Sequence, residues 1–433
     1  MRLVVLMVLA LAVGVVGCGD DSDACPEGGT GALQLDVSGL PGSTNAAVTV
    51  TRGTESRSVT STTQLDGLGS GMWTISASPV AVSGGLVRAA YDAPEKKEVC
   101  VRGGETANGS VAYALIPSSQ KLWLSTSNGS AEVEAFAETS LTATGTQSAT
   151  VRMRGSPGIP RAAGLAFDLR GNLWVALGSG ELRRYPASVL GTSGTKMADV
   201  TLTGPALSTG VPGPIDIAFD SAGNLWTSIG WSNKVLRFGA SQITASGSPT
   251  PEVELSGLGD PHALAFDASG NLWVGDHTSG APRVHKVAVS ALAASGTVSP
   301  ARSIDSKDTS PVISFTGPAG LAFDAAGNLW VAYGTQGVVV RLTPADLAGT
   351  GTATVTPSVQ IDAGGPKGIA IDEAGNLWMA YNSGKISRLS PAQLAVSGAP
   401  TPDVVITSPD LGATDGVAIY PAPASLPLYH RLP

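Results

Sequence analysis

The sequence predicts an all-β protein, a six-bladed β-propeller preceded by a small β-sandwich. One phrase, best preserved as GLAFDAAGNLWVA from Gly320, recurs about every 50 residues, a spacing typical of a radial or stacked array. The recurring segments alternate apolar residues with turn residues, which favours strands. One copy of the phrase is split between the two ends of the repeat region. A closed ring of blades requires such a split.

The repeats number six when the split copy is counted. The complete copies begin at Gly164, Asp216, Ala263, Gly320 and Gly368. The split copy consists of KLWLS from Lys121 and GVAIY from Gly416. Because an open ring would expose two sheet edges, we expect the C-terminal segment to close the first blade. The alternative is that residues 111–116 begin the first blade and GVAIY begins a stunted seventh.

Each repeat is interpreted as four strands, which we name A to D from the channel outward. Strand A is LAFD, strand B is NLWVA, strand C carries a basic-apolar run such as KVLRF from Lys234, and strand D resembles PSVQI from Pro357. The Asp-x-x-Gly-Asn sequence between strands A and B fits a type I turn that ends in a left-handed glycine. Turn formation therefore explains the repeated Asp better than calcium binding does. One tryptophan per repeat is predicted to pack between blades: Trp123, Trp174, Trp226, Trp273, Trp330 and Trp378.

The region before the repeats predicts a separate sandwich. Leu33, Leu35 and Val37 alternate with polar residues, as half-buried antiparallel strands require. The predicted organisation is a signal peptide over 1–17, a polar tether over 18–30, a sandwich over 31–116 and the propeller over 117–433. Cys25 and Cys100 form an even pair in an exported protein and are predicted to form a structural disulfide.

The first residues indicate export. Met1 and Arg2 give a positive start, and an unbroken apolar run over residues 3–16 has the length of a signal-peptide core. The closing Val-Val-Gly-Cys18 resembles the bacterial lipobox, which implies cleavage before Cys18 and diacylation of its thiol. An ordinary signal peptide with an incidental cysteine is the alternative. Since Gly19 replaces the Asp of the inner-membrane retention signal, we expect a lipoprotein of the cell envelope, in the outer membrane.

Composition excludes several classes of function. The net charge is -8 and no basic stripe is present, which argues against nucleic acid and against electrostatic binding to anionic lipid. The sequence lacks nucleotide-binding and protease motifs. We expect a monomer that contacts the membrane only through a lipid on Cys18.

Candidate site residues lie where the chain enters strand A and leaves strand B, because these positions share one face beside the channel. In blade 4, Asp260 and His262 enter while Asp276 and His277 leave. Two carboxylates with two imidazoles suit a divalent ion or acid-base chemistry, although solvated rim residues are the alternative. The ligand or partner face is predicted to include Trp231, Tyr333, Lys367, Tyr381 and Asp415.

The repeated FDxxGNLWVA resembles NHL-type propellers and the streptogramin lyase (virginiamycin B lyase) family. That resemblance implies Mg²⁺ held by an acid and a histidine before strand A and an acid after strand B, which are Asp260, His262 and Asp276 here. The catalytic residues are not fixed by the sequence; His262 and His277 are the candidates, although His277 does not clearly match the second histidine of that family. Both acids are Asp where the lyases use Glu, which puts the activity in doubt. In the sandwich, LQLDVSGLPG from Leu33 resembles carboxypeptidase-regulatory-like or PEGA-type modules, which implies a spacer.

The favoured function is non-catalytic: a lipid-anchored envelope protein whose propeller face binds a protein or a glycan. The absence of a complete active-site motif and the bland rim of four blades favour it. The alternative is a metal-assisted lyase or hydrolase of the streptogramin-lyase or lactonase type. In that alternative the cofactor is Mg²⁺ or Ca²⁺. A purely structural propeller is a third possibility.

Overall fold

The computed structural model describes residues 25–126, 133–155, 158, 162–208, 213–279, 281–306, 317–409, 411–424 and 426. The predicted signal peptide and Cys18 lie outside these residues. The chain divides into two compact units. The first contains the residues before 39, residues 45–77 and residues 95–112. The second contains residues 39–44, residues 78–94 and the residues from 113 onward. Residues 78–94, predicted as part of the sandwich, thus group with the propeller. No helix in the described part of the chain is long and apolar enough to cross a membrane.

The first unit is built from two antiparallel-rich sheets. One sheet has the strand order Thr63–Gly69, Thr30–Ser38, Thr106–Ala112, and the other has the order Glu55–Val59, Val48–Arg52, Gly71–Ala77, Lys97–Val101. The alternating residues Leu33, Leu35, Val50 and Trp73 are fully buried, as the period-two pattern predicts. Cys25 and Cys100 are joined by a disulfide with a Cα–Cα distance of 5.5 Å. This unit is the predicted small sandwich.

The second unit contains six four-stranded blades. Within each blade the strands are given from A, at the channel, to D, at the outer edge. Blades 1 to 3 consist of Thr414–Tyr420, Lys121–Thr126, Val133–Ala137 and Val151–Gly155; of Ala162–Phe167, Leu173–Leu177, Glu181–Tyr185 and Val200–Leu202; and of Pro214–Phe219, Leu225–Ile229, Lys234–Phe238 and Val253–Ser256. Blades 4 to 6 consist of Pro261–Phe266, Leu272–Asp276, Arg283–Val287 and Arg302–Ser306; of Gly320–Phe323, Leu329–Tyr333, Val338–Leu342 and Val359–Asp362; and of Pro366–Ile371, Leu377–Tyr381, Lys385–Leu389 and Val404–Thr407. Short helical turns follow strand C at Ala187–Val189, Val289–Leu292, Pro344–Leu347 and Gln393–Ala395, and one more lies at Glu138–Ser140. A further small sheet of this unit has the order Ala114–Leu115, Ala89–Asp92, Val80–Val82.

The C-terminal strand closes the ring, as the split repeat predicts. Thr414–Tyr420 pairs antiparallel with Lys121–Thr126, and Ala418 lies opposite Trp123. The strand at Ala114–Leu115 belongs to the small sheet with Ala89–Asp92, so it does not begin blade 1. The seventh-blade alternative is therefore wrong.

Each blade also receives a strand segment that the sequence pattern did not indicate. The connection between strands C and D of one blade pairs in parallel with strand D of the blade before it. The pairs are Gly194–Lys196 on blade 1, Gly296–Thr297 on blade 3, Gly351–Val355 on blade 4 and Gly145–Thr146 on blade 6, with single bridges from Gly247 to blade 2 and from Gly398 to blade 5. Since strand D would otherwise be a free edge, this exchange covers the edge and links neighbouring blades.

The hairpins between strands A and B confirm the turn interpretation of the repeated Asp. In blade 6, Asp372 Oδ1 accepts hydrogen bonds from the backbone N–H groups of Ala374 and Asn376 at 2.9–3.0 Å. The hairpin glycines of blades 2 to 6 have φ between +74° and +80°, a region that glycine adopts without strain. In blades 3 to 6 the second carboxylate oxygen also accepts the tryptophan Nε1–H at 2.8–3.0 Å.

The repeated tryptophans pack between blades, as predicted. All six are buried, and four of them meet a phenylalanine of the next blade edge-to-face at 5.7–6.4 Å between ring centroids. A strand C cation lies over five of the rings at 5.5–5.8 Å. Such edge-to-face and cation–π contacts add to the apolar area that each ring buries.

The six strands A surround a channel with an apolar waist. One residue per blade forms it: Leu165, Ile217, Leu264, Leu321, Ile369 and Val417. On the hairpin side of the waist lies a cavity of about 250 Å³. On the other side lies a larger cavity of about 640 Å³, which we call the mouth cavity.

Candidate functional site

The mouth cavity contains most of the charged side chains that face the channel. Its polar lining consists of Asp216, His262, His277, Lys367 and Asp415, and most of the rest is glycine, alanine and aliphatic side chains. A volume of this size is within the range of small-molecule sites, which are mostly apolar with a few polar groups. Four of the five polar residues were predicted from the sequence.

Blade 4 contributes a pair of stacked imidazoles. The rings of His262 and His277 are parallel within 3°, with centroids 3.7 Å apart. Gly317, with φ +36°, makes room for His277, because a Cβ at that position would clash with the ring. Burial, reinforced by the neighbouring His277, lowers the pKa of His262 to about 4, and burial also lowers the pKa of His277. Both rings are therefore neutral at pH 7.

The two Nε2 atoms of this pair are buried and have no hydrogen-bond partner in the described part of the chain. The nearest acid is Asp260, whose Oδ2 lies 3.6 Å from His262 Nε2. Its other oxygen, Oδ1, accepts a hydrogen bond of 2.8 Å from the backbone N–H of Trp231. Asp260 therefore links the histidine pair to the loop that follows strand B of blade 3.

The carboxylate of Asp276 does not form a metal site with Asp260 and His262, the other two predicted ligands. Its carboxylate is buried, and Oδ1 accepts hydrogen bonds from Asp260 N, Thr278 N and Thr278 Oγ1 at 2.6–2.8 Å. Its Oδ2 lies 3.1 Å from Nε2 of His285, a histidine on strand C of the same blade. These hydrogen bonds outweigh the effect of burial and lower the pKa of Asp276. In the described residues, no group of three or more His, Cys, Asp or Glu side chains lies close enough to hold a metal ion.

The predicted partner face divides into exposed and buried residues. Lys367 Nζ lies 2.6 Å from Asp415 Oδ1, and both line the cavity. Tyr333 and Tyr381 are only 1% and 2% exposed and pack in the core between blades. They are not part of the face because the last residue of strand B points between the sheets, as Leu177 and Ile229 also do. The Tyr381 hydroxyl forms a hydrogen bond of 2.8 Å with Ser387 Oγ.

Trp231 lies at the rim and is exposed, with 73% of its surface accessible. It has φ +50°, and Asn233 two residues later has φ +56°, which are uncommon values for residues other than glycine. The preceding Gly230 approaches Ile215 and His262, two residues of the cavity wall. The tight turn therefore places the backbone of Trp231 beside the wall of the mouth cavity, with its indole ring exposed.

Asp216 is the polar lining residue that the sequence analysis did not single out. Its Oδ1 accepts the backbone N–H of Ile217 at 2.9 Å, and its Oδ2 accepts that of Leu264, on the next blade, at 2.8 Å. Burial in the channel wall raises the pKa of Asp216 to about 6, and the two N–H groups offset this effect only in part. Aligning the repeats would have identified Asp216, because it is the only acidic residue at a position that holds glycine or alanine in the other blades: Gly164, Ala263, Gly320, Gly368 and Gly416.

Part of the propeller matches a known family. Residues 252–420, which include the histidine pair and the closing strand, match the model of the SMP-30/Gluconolactonase/LRE-like region. The predicted resemblance to propellers of this group is confirmed. No curated protein matches the chain in sequence.

Several solved propellers resemble the chain in structure. Virginiamycin B lyase from Staphylococcus aureus is 17% identical to this chain. The match covers 54% of this chain and 68% of the lyase, with a TM-score of 0.34. Regucalcin from Agrobacterium tumefaciens, described as calcium-binding, is 16% identical over 57% and 75% of the two chains, with a TM-score of 0.39. A streptogramin B lyase is 14% identical over 79% and 92%, also with a TM-score of 0.39. Likenesses at this level assign no activity.

Proposed function

We propose that the protein is a non-catalytic glycan-binding protein of the cell envelope, held to the membrane by a lipid on Cys18, with the mouth cavity as its binding site. The observation that carries the proposal is the exposed Trp231 beside a polar-lined cavity of about 640 Å³. An indole ring offers an apolar face to the C–H groups of a sugar, while the cavity offers hydrogen-bonding groups to its hydroxyls. Tryptophan is among the side chains that contribute most to binding energy in interfaces.

Two features favour binding over catalysis. Asp276, which the lyase resemblance would make a metal ligand, already has hydrogen bonds to Asp260, Thr278 and His285. Lys367 is likewise paired with Asp415. Asp276, Lys367 and Asp415 are thus already paired with other residues, and a role in shaping the site accounts for these three side chains.

Calorimetric titration of the purified protein with a panel of neutral and charged oligosaccharides tests the proposal. At least one member of the panel is expected to bind, and Trp231→Ala is expected to weaken that binding by roughly tenfold or more, since hot-spot tryptophans contribute about 2 kcal/mol or more. Met197→Ala is the matched control, because Met197 is 74% exposed on the outer side of the propeller. Absence of binding to every glycan, or equal binding by both variants, would overturn the proposal.

The membrane anchor is tested separately in bacterial cells. The wild-type protein is expected in the membrane fraction, and Cys18→Ser is expected to move it to the soluble fraction, because the thiol that would be diacylated is then absent. Cys25→Ser is the control, since it removes a cysteine that pairs with Cys100 and lies after the proposed cleavage site. Retention of Cys18→Ser in the membrane would refute lipid anchoring without affecting the glycan site.

A metal-assisted lyase or hydrolase is the second candidate function. The observation that favours it is the pair of unpartnered Nε2 atoms of His262 and His277 beside Asp260. Elemental analysis of the purified protein decides between the two candidates. Stoichiometric Mg²⁺, Ca²⁺ or Zn²⁺ that is lost in His262→Ala would support the enzyme. A metal-free protein whose thermal stability is unchanged by chelator would exclude the metal-assisted enzyme.

A further inference from the structure

Asp216 is a carboxylate that the propeller architecture does not require. The equivalent residue is glycine in four other blades and alanine in the fifth, Ala263. Glycine suits this position because neighbouring strands A approach closely: a Cβ at Gly320 would lie 2.5 Å from the Lys367 carbonyl oxygen, and one at Gly368 would lie 2.6 Å from the Asp415 carbonyl oxygen. A charged side chain in the channel wall of one blade alone therefore points to a ligand rather than to folding.

Among the described residues, Asp216 has no counter-ion. Its oxygens accept two backbone N–H groups, and no lysine or arginine in the described residues forms an ion pair with it. The cation that lines the same cavity, Lys367, has its Nζ 2.6 Å from Asp415. The two imidazoles are neutral. A carboxylate that is partly desolvated in the channel wall and has no cation beside it is unfavourable, so the cavity is complementary to a positively charged group.

We infer that the mouth cavity binds an amino sugar, with its ammonium group at Asp216 and its ring against Trp231. The inference rests on the proposed function and names the class of glycan. A charge-assisted hydrogen bond to Asp216 would use the carboxylate lone pairs that its two backbone donors leave free. A metal cation is a poorer fit, since no three candidate ligands in the described residues converge on one point.

The test compares three ligands by calorimetric titration of the wild-type protein: a glucosamine trimer, an N-acetylglucosamine trimer and 1,4-diaminobutane. The glucosamine trimer is expected to bind at least roughly tenfold more tightly than the acetylated trimer, because acetylation removes the charge. Asp216→Asn is expected to abolish this difference. Asp66→Asn, which removes the same charge from an exposed position in the first unit, is the matched control and is expected to preserve it.

The outcomes separate the inference from the proposed function. Equal binding of the two trimers would overturn the role of the ammonium group while leaving glycan binding intact. Tight binding of the diamine alone would overturn the assignment of a sugar. If neither trimer binds but another glycan does, the inference fails and the proposed function stands. The wild-type comparison uses no variant, so it decides the question even if Asp216→Asn does not fold.

Discussion

The two ends of the propeller channel are built from the same six strands A but differ in chemistry. The hairpin end is lined by one large apolar or aromatic residue per blade, Phe167, Phe219, Phe266, Phe323, Ile371 and Tyr420, and is covered by Pro421, Pro423 and Leu426. The mouth cavity is larger and carries one carboxylate, a histidine pair and a Lys–Asp pair, each from different blades. The repeat is preserved at the hairpin end, which packs, and is broken at the mouth, where we propose the binding site.

The difference has a physical origin in the repeat itself. At the hairpin end, the repeated Asp accepts hydrogen bonds from the repeated Asn in blades 2 to 6, and from the tryptophan Nε1–H in blades 3 to 6, so a change there affects folding. At the mouth, strand A starts after a loop of variable sequence, and a side chain there contacts mainly the channel. Ligand specificity can therefore vary at the mouth without loss of the blade.

The largest effect is expected from breaking the strand that both ends share. Ala418→Pro removes a backbone N–H from the closing strand opposite Trp123, and proline is poorly tolerated within a paired strand because it cannot donate to the sheet. We expect the variant to be unfolded or strongly destabilised in chemical denaturation. Ala418→Ser keeps the backbone donor and is the control. A near-normal unfolding midpoint for the proline variant would contradict closure by this strand.

A smaller effect is expected at the hairpin end, and it should differ between blades. Asp372 is fully buried and accepts the Trp378 Nε1–H at 2.8 Å, whereas Trp174 Nε1 in blade 2 has no partner. Asp372→Ala is expected to cost about 3 kcal/mol in the free energy of unfolding, and Asp168→Ala about 1 kcal/mol less, because one buried donor fewer is left unsatisfied. Equal losses in urea unfolding would show that the tryptophan bond contributes nothing.

The smallest effect is expected at the mouth and depends on pH. The pKa of Asp216 is about 6 in the folded protein, above the ordinary value of 3.8. Its contribution to stability is thus fully present below pH 4 and is lost as pH rises through 6. Between pH 5 and pH 8 the wild-type protein is expected to lose about 1 kcal/mol more of its unfolding free energy than Asp216→Asn. Parallel pH profiles in urea unfolding would refute the buried-carboxylate assignment.

Most of the fold could be predicted because the repeat carries redundant information. The spacing of the copies gives the number of blades, and the split copy gives the closure between Lys121–Thr126 and Thr414–Tyr420. The parallel strand exchange at the outer edge could not be predicted. Gly194–Lys196 buries no side chain and is held by backbone pairing with blade 1, so it has no apolar pattern. Gly351–Val355 alternates small or apolar residues with threonines, but only Val355 is buried, so its pattern does not stand out from that of a loop.

The candidate site was predictable in position but only partly in composition. His262, His277, Lys367 and Asp415 line the cavity. Tyr333 and Tyr381 do not, since sequence position alone does not show on which side of strand B a residue lies. Asp216 was missed because an acid following Ile215 resembles an ordinary strand residue until the copies are aligned position by position.

The sequence by itself determined the all-β class, the six blades, the ring closure and the hairpin chemistry, since each depends on local patterns that recur in every copy. Only the tertiary structure decided which side chains meet at the channel. The carboxylate of Asp276 contacts His285, and Lys367 forms an ion pair with Asp415. The carboxylate of Asp216, in blade 3, accepts a hydrogen bond from the backbone of Leu264 in blade 4. The Asp276–His285 contact lies within blade 4, whereas the other two contacts join different blades. All three link residues on separate strands, and no local sequence pattern specifies them.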